Sequence, residues 1–271
     1  MSAPSFDRDD DERIAAEASL RPDLVFEVVR REGEEELRRP LRSLIWAGIA
    51  AGLAISVSCI AEAMLARRLP DAPWAELIAD MGYSLGFILV ILGRLQLFTE
   101  HTITAVLPVV YDPTPGCLRA LARLWGVVLL SNVVGATIAA WFLVGSGALP
   151  EDGVAALLSI GRHLTGDPFM VTVAKGIAAG FLIAALVWML PSAGAGRVAV
   201  IFLVTWLIAL AGFAHVIAGT AEIAALVFAG EAGVFEVFVD FWLPALLGNM
   251  IGGTALFAML AYGQVKDELD G

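Results

Sequence analysis

Apolar residues run along this chain in six long blocks, at about 44–65, 77–110, 118–144, 171–190, 198–228 and 238–262, parted by short polar, proline- or glycine-bearing links. About 20 apolar residues span the hydrocarbon core of a bilayer, so each block predicts a membrane crossing. The second is too long for one simple helix: roughly 34 residues at 1.5 Å each would reach about 51 Å, against a core of about 30 Å. The fifth is also too long. Both contain an interruption, "QLFTEH" (96–101) in one and "AGFAH" (211–215) in the other. These predict crossings made of two half-helices, because unpaired backbone in hydrocarbon is tolerated only where it is buried in protein or lines a wet cavity.

The blocks repeat. "GIAAGLAI" (48–55) returns as "GIAAGFLI" (176–183), and "SNVVGAT" (131–137) returns as "GNMIGGT" (248–254). The interrupted blocks lie between the members of each set, so blocks one to three match four to six, with Phe98 and Phe213 in corresponding interruptions. Three crossings precede the second copy, so the copies enter the membrane from opposite sides, as in inverted-repeat transport proteins. The expected fold class is an all-α integral membrane protein of six transmembrane helices in two inverted three-helix repeats, with broken second and fifth helices. Glycines four apart, Gly48/Gly52 and Gly176/Gly180, suit close helix packing in lipid.

Composition agrees: 59% of the 271 residues are hydrophobic, against roughly 45–50% in soluble domains. The first forty residues carry the acidic run at 9–12 and a charged block at 30–39, with no apolar core of a secretory signal. They are expected to stay in the cytosol as a tail (1–40) holding an amphipathic helix at about 22–38. The channel domain then runs over 41–263, followed by a cytosolic tail at 264–271. Arginines and lysine 38, 39, 42, 119, 123, 197 and 266 flank one side of the membrane and arginines 67, 68 and 162 the other, which puts both termini inside. The net charge of −11 argues against nucleic acid as a partner. Two distant cysteines support neither a disulfide framework nor a metal centre, and no cofactor is expected.

Ionisable groups inside a crossing mark a pathway or a proton relay by default. His215 is the first candidate, because imidazole exchanges a proton near neutral pH. Thr99 offers a hydroxyl to both solute and imidazole, and Asn249 an amide to hold loop backbone or to join helices. Half-helix N-termini favour an anion or the oxygen end of a polar solute.

These residues resemble the formate/nitrite transporter family. "YSLGFILVILGRLQLFTEHT" (83–102) is similar to its second-span signature, "AGFAHVIAG" (211–219) to its fifth-span histidine motif and "LPALLGNMIGG" (243–253) to its sixth-span motif; the likeness runs from about 40 to 263. The resemblance implies an aquaporin-like fold, a homopentamer in the inner membrane, and one pore per protomer for small monovalent weak-acid anions. It implies no enzyme activity. Leu97, Phe98 and Thr99 fall on the second-span loop, His215 on the central histidine and Asn249 on the sixth-span asparagine. Tyr83 and Ile208 fall near the outer constriction, Phe87 and Leu97 near the inner one.

The chain departs from the pattern where Gln96 replaces an acidic residue, Glu100 a small one and Arg94 a glycine-like one; His101 follows. Ala214 and Gly219 replace an acidic residue and an asparagine beside His215. An ionised Glu100 would repel an anion; Arg94 or His101 pairing with it is the structural alternative, and selectivity for a cation or neutral solute is the functional one. Lys175, with Arg94, is a candidate vestibule charge, and snorkelling is the alternative for the lysine. A non-conducting membrane assembly partner is a further reading. A metal enzyme built on Glu100, His101, His215 and Glu222 lacks helical ligand spacing.

Overall fold

The computed structural model describes residues 20–269, so the acidic run at 9–12 and the extreme termini lie outside the described residues. The described chain is all-helical. Helix α1 (Pro22–Arg38) matches the expected amphipathic segment, and Pro22 sits in its first turn, where a missing N–H costs nothing. Then come α2 (Leu41–Ala66), α3 (Ala75–Leu92), the short α4 (Val106–Tyr111), α5 (Pro115–Gly145), α6 (Glu151–Leu164), α7 (Phe169–Met189), α8 (Arg197–Leu210), α9 (Val216–Phe228) and α10 (Val234–Leu269). Among the described residues, five helical stretches are long and apolar enough to cross a membrane: α2, α3, α5, α7 with the turn after it, and α10. The stretch 198–228, expected as one crossing, is two shorter helices, α8 and α9. Helix α10 runs on to Leu269, beyond the boundary expected at 264, and contains two wide π turns.

Helix α6 was not anticipated. Its buried Gly153, Leu157, Leu158 and Gly161 lie along one face and pack over α9 and α2. Arg67, just past the end of α2, bonds Asp152 at one end and Arg162 bonds Glu231 at 2.7 Å at the other, which ties α6 across the ends of the long helices. Arg123 of α5 reaches the opposite end of the molecule and donates to the carbonyl of Leu37 at 2.7 Å.

Two helix pairs hold the centre, α2 with α5 and α7 with α10. A Cβ on Gly52 would lie 2.2 Å from the carbonyl oxygen of Asn132, and one on Gly180 would lie 2.3 Å from that of Asn249. Only a glycine admits backbones this close, and in lipid that contact replaces the hydrophobic drive that water would supply. Large apolar side chains on the outer faces, among them Trp46, Leu130, Trp141 and Met170, are exposed, as a lipid-facing surface requires.

Helix α1 lies against α4 and the end of α10. Its buried Phe26 packs 6.2 Å from Tyr111 and 5.8 Å from Tyr262, ring centre to ring centre. Gly33 meets the loop before α4 so closely that a Cβ there would stand 1.9 Å from the carbonyl oxygen of Thr104.

Candidate functional site

Helices α3 and α8 end in the same way. Arg94 and Gly212 both take the left-handed conformation, with φ of 51° and 62°. The N–H of Leu95 donates to Val90 and that of Phe213 to Ile208, closing each helix one residue after the left-handed one. The chain then runs through residues 95–99 and 213–215 before turning into the 3-10 turn Glu100–Thr102 and into α9.

Two asparagines hold these loops. Asn132 Oδ1 accepts from the N–H of Phe98 at 2.8 Å, while its Nδ2 donates to the carbonyls of Gln96 at 2.7 Å and Gly48 at 2.9 Å. Asn249 Oδ1 accepts from the N–H of Val216 at 2.9 Å, while its Nδ2 donates to Ala214 at 2.7 Å and Gly176 at 2.9 Å. Asn249 is thus fully occupied by backbone and joins helix to loop. The matched bonds put Phe98 opposite Val216 and Leu95 opposite Phe213 within the two corresponding loops. Asn132 was absent from the expected site; the repeat "SNVVGAT"/"GNMIGGT" was the signal that could have found it.

Where the loops meet, Thr99 Oγ1 lies 2.7 Å from His215 Nε2, both side chains buried. His215 caps α9: the N–H of Ala218 donates to its Nδ1 at 3.2 Å. An N–H donor facing Nδ1 leaves that nitrogen bare, so the neutral ring carries its proton on Nε2 and donates it to Thr99. The Thr99 hydroxyl proton then has no acceptor among the described residues. The backbone N–H groups of Thr99 and Ile217 also find no acceptor there.

Apolar side chains close around this point. The Phe87 ring stands edge-on to His215 at 5.0 Å and 5.2 Å from Tyr83. Leu97 and Ile208 are fully buried nearby in the same core. Phe87 therefore stands at the histidine. Phe98 turns the other way, packing edge-on against Trp125 of α5 at 5.8 Å, and lines neither cavity described next.

A cavity of about 70 Å³ reaches His215 from the side of α6; Tyr83, Glu62, Gly219, Glu222 and Phe241 line it. Glu62 and Glu222 together were not expected here, because they sit on different helices far apart in sequence. A second cavity, about 210 Å³, opens on the side of α1 and is lined by Arg94, Gln96, Glu100 and His101 with residues of α1 and α8. The expected pairing of Glu100 with Arg94 or His101 is not made. Arg94 faces Glu32 of α1 at 3.6 Å, and His101 Nε2 bonds Gln96 Oε1 at 2.9 Å. Lys175 pairs with Asp167 at 2.5 Å, so its charge is matched by a neighbouring carboxylate.

Long apolar helices wrapped around a buried polar contact between two irregular loops, with a cavity on either side, define a helical membrane channel or transporter. The model of the family "Formate/nitrite transporter" matches residues 23–263, and this chain belongs to that family. It is 40% identical over 260 residues to the inner membrane protein YfdC of Escherichia coli (strain K12), covering 96% of this chain and 83% of that protein. It is 26% identical over 242 residues to the formate channel FocA of Haemophilus influenzae, covering 80% of this chain and 84% of the relative. Among solved structures, the fold is similar to a pentameric formate channel with formate bound, at a TM-score of 0.70 and 22% identity over 83% of this chain and 97% of that one. It is also similar to an FNT family ion channel, at a TM-score of 0.76 and 20% identity over 90% and 98%.

Proposed function

We propose that the protein conducts small monovalent weak-acid anions of the formate and nitrite kind, through one pathway in each protomer of a homopentamer. The carrying observation is the 2.7 Å contact of Thr99 and His215 at the meeting of the two loops. A solute oxygen arriving there finds the Thr99 hydroxyl proton and the free N–H groups of Thr99 and Ile217, and the N-terminus of α9 adds partial positive charge. The passage is narrow and apolar on the Phe87 side, so a bare charge crosses at high cost and a protonated acid at low cost. His215 supplies the proton linkage through Thr99.

The matched ends of α3 and α8 and the matched asparagine bonds support six crossings in two inverted repeats, with the second and fifth broken at 93–105 and 211–215, as in an aquaporin-like pore. The basic flanks favour both termini on the cytoplasmic side of an inner membrane. The α1 cavity is then the inner vestibule and the α6 cavity the outer one. The names of similar proteins, a formate channel and a pentameric formate channel, agree with the solute class and the assembly.

Formate uptake into proteoliposomes tests this: pH-dependent flux is expected in the wild type, reduced in Thr99→Ala and His215→Ala, and a wild type silent toward every small weak acid would end it. A second reading, selectivity for a neutral solute or cation, is favoured by the unpaired Glu100. A cation pathway would carry net current with a reversal potential that follows the cation gradient and changes in Glu100→Gln, while a neutral-solute pathway would move its solute without pH dependence; the weak-acid pathway does neither.

A further inference from the structure

The ionisable lining of the α1 cavity is Glu32 and Glu36 from α1, Arg94, Glu100 and His101 from the loop, and Arg197 from α8. Most of these side chains have partners. Arg94 faces Glu32, Glu36 bonds Arg39 at 3.1 Å, and Arg197 Nε donates to the carbonyl of Leu190 at 3.3 Å. Two atoms do not: Glu100 Oε1 and His101 Nδ1 are buried without a hydrogen-bond partner among the described residues. His101, 4% exposed, bonds Gln96 Oε1 through Nε2. That oxygen only accepts, so the ring proton sits on Nε2 and Nδ1 is a bare acceptor.

Two neighbouring residues thus offer acceptors with nothing to accept from, in a polar space large enough for a small molecule. The molecule that completes them brings an O–H or N–H. A bare carboxylate or nitrite has none and would meet the carboxylates of Glu32, Glu36 and Glu100. A simple cation would meet the guanidiniums of Arg94 and Arg197. An undissociated weak acid has both ends the cavity asks for, an O–H for the acceptors and an oxygen for the guanidiniums.

We propose that this cavity binds the undissociated form of the transported weak acid and that the Glu100 carboxylate there takes its proton, with His101 as the second acceptor. The proposal rests on the weak-acid reading of the pore and adds where the proton leaves the solute. The O–H bond of the acid breaks, an O–H forms on Glu100, and the electron pair stays on the solute as the anion. The anion faces Arg94 and Arg197 on its way out, and Glu100 passes the proton to cavity water. The charged and titratable groups around Glu100 are Glu32, Glu36 and Arg39 beside α1, Arg94 and His101 in the loop, and Arg197 at the start of α8. None of them replaces Glu100 as a buried carboxylate without an ion-pair partner.

The test uses the full chain in proteoliposomes with a pH dye inside and a formate gradient across the membrane. Formate entry in the wild type should acidify the lumen by one proton per formate and carry no net current. Glu100→Gln should lower formate flux at neutral pH at least about ten-fold with assembly unchanged in size-exclusion chromatography. His101→Asn, which also serves should the glutamine variant not assemble, should lower it about three-fold or more. Unchanged flux and coupling in these variants overturns the inference and leaves the pore reading standing. One net charge carried per formate in the wild type, or methylammonium carried in place of formate, also overturns it. A wild type that moves no weak acid at all overturns the pore reading as well, so the two failures are told apart.

Discussion

Asn132 and Asn249 make the same three hydrogen bonds, each accepting one N–H in or just after a loop and donating to one loop carbonyl and one carbonyl of a neighbouring helix. Each amide joins three segments and is fully buried. Replacing either by alanine leaves one buried N–H and one buried loop carbonyl unpaired, each costing about 1–3 kcal/mol, while the Gly48 and Gly176 carbonyls keep their helical bonds. Asn132→Ala and Asn249→Ala are expected to lower thermal stability in detergent by comparable amounts, several kcal/mol each. Asp at either place is expected to fail similarly, because a carboxylate accepts only. A large inequality between the two alanine variants would show that the two amides are not equivalent.

Thr99→Val keeps the shape of the side chain and removes the hydroxyl. The His215 Nε2 proton then loses its acceptor, at a cost of about 1–3 kcal/mol, or roughly 5- to 150-fold in any equilibrium that depends on it. Formate flux is expected to fall within that range, while Thr99→Ser keeps most of it. Equal flux in the valine and serine variants would show that the hydroxyl has no part in conduction.

Arg94 holds a backbone conformation that its counterpart Gly212 adopts freely. An L side chain in that region costs about 1–2 kcal/mol, and the ion pair it makes with Glu32 is exposed at both partners, which makes it worth about 0–1 kcal/mol. Arg94→Gly is therefore expected to leave thermal stability unchanged or raise it slightly. A fall of more than about 1 kcal/mol in denaturation experiments would mean that the ion pair outweighs the strain.

The docking of α1 depends on Gly33, since any Cβ there overlaps the Thr104 carbonyl. Gly33→Ala is expected to lift α1 from the loop and expose it to limited proteolysis, with the rest of the protein resistant. Proteolysis at the wild-type rate would show that the contact yields without loss.

On α1, the guanidiniums of Arg30 and Arg31 hold the Glu27 carboxyl down from the ordinary 4.5 to about 2. A depressed carboxyl stabilises the fold above its unfolded value, and that stabilisation is lost as pH falls through the folded one. Helix α1 should therefore keep its amide-exchange protection from neutral pH to about 4.5 and lose this contribution between there and about 2. In Glu27→Gln that acid step should be missing.

Much of the fold was legible in the chain because its signals are local. Runs of apolar residues long enough for a bilayer placed α2, α5, α7 and α10, and Pro22 with the charged pattern after it placed α1. The recurrence of glycine and asparagine motifs points to two matched halves from the sequence alone. Helix α6 escaped notice because its apolar face is short and its burial depends on α9 and α2, which approach only in the folded chain.

Within the site, residue types marked Thr99 and His215, since a hydroxyl and an imidazole in hydrocarbon need partners. That they partner each other is a tertiary fact: 116 residues separate them and one hydrogen bond joins them. Glu100 shows the limit most clearly. Its sequence offered Arg94 and His101 as ready partners, yet the left-handed turn carries Arg94 out to Glu32 and Gln96 takes the His101 ring. Apolar runs and repeats determined which segments cross and which loops matter, because those depend on solvent transfer and local geometry. Which polar groups pair, and which are left free to meet a solute, depends on directions in space, and only the packed helices decided that.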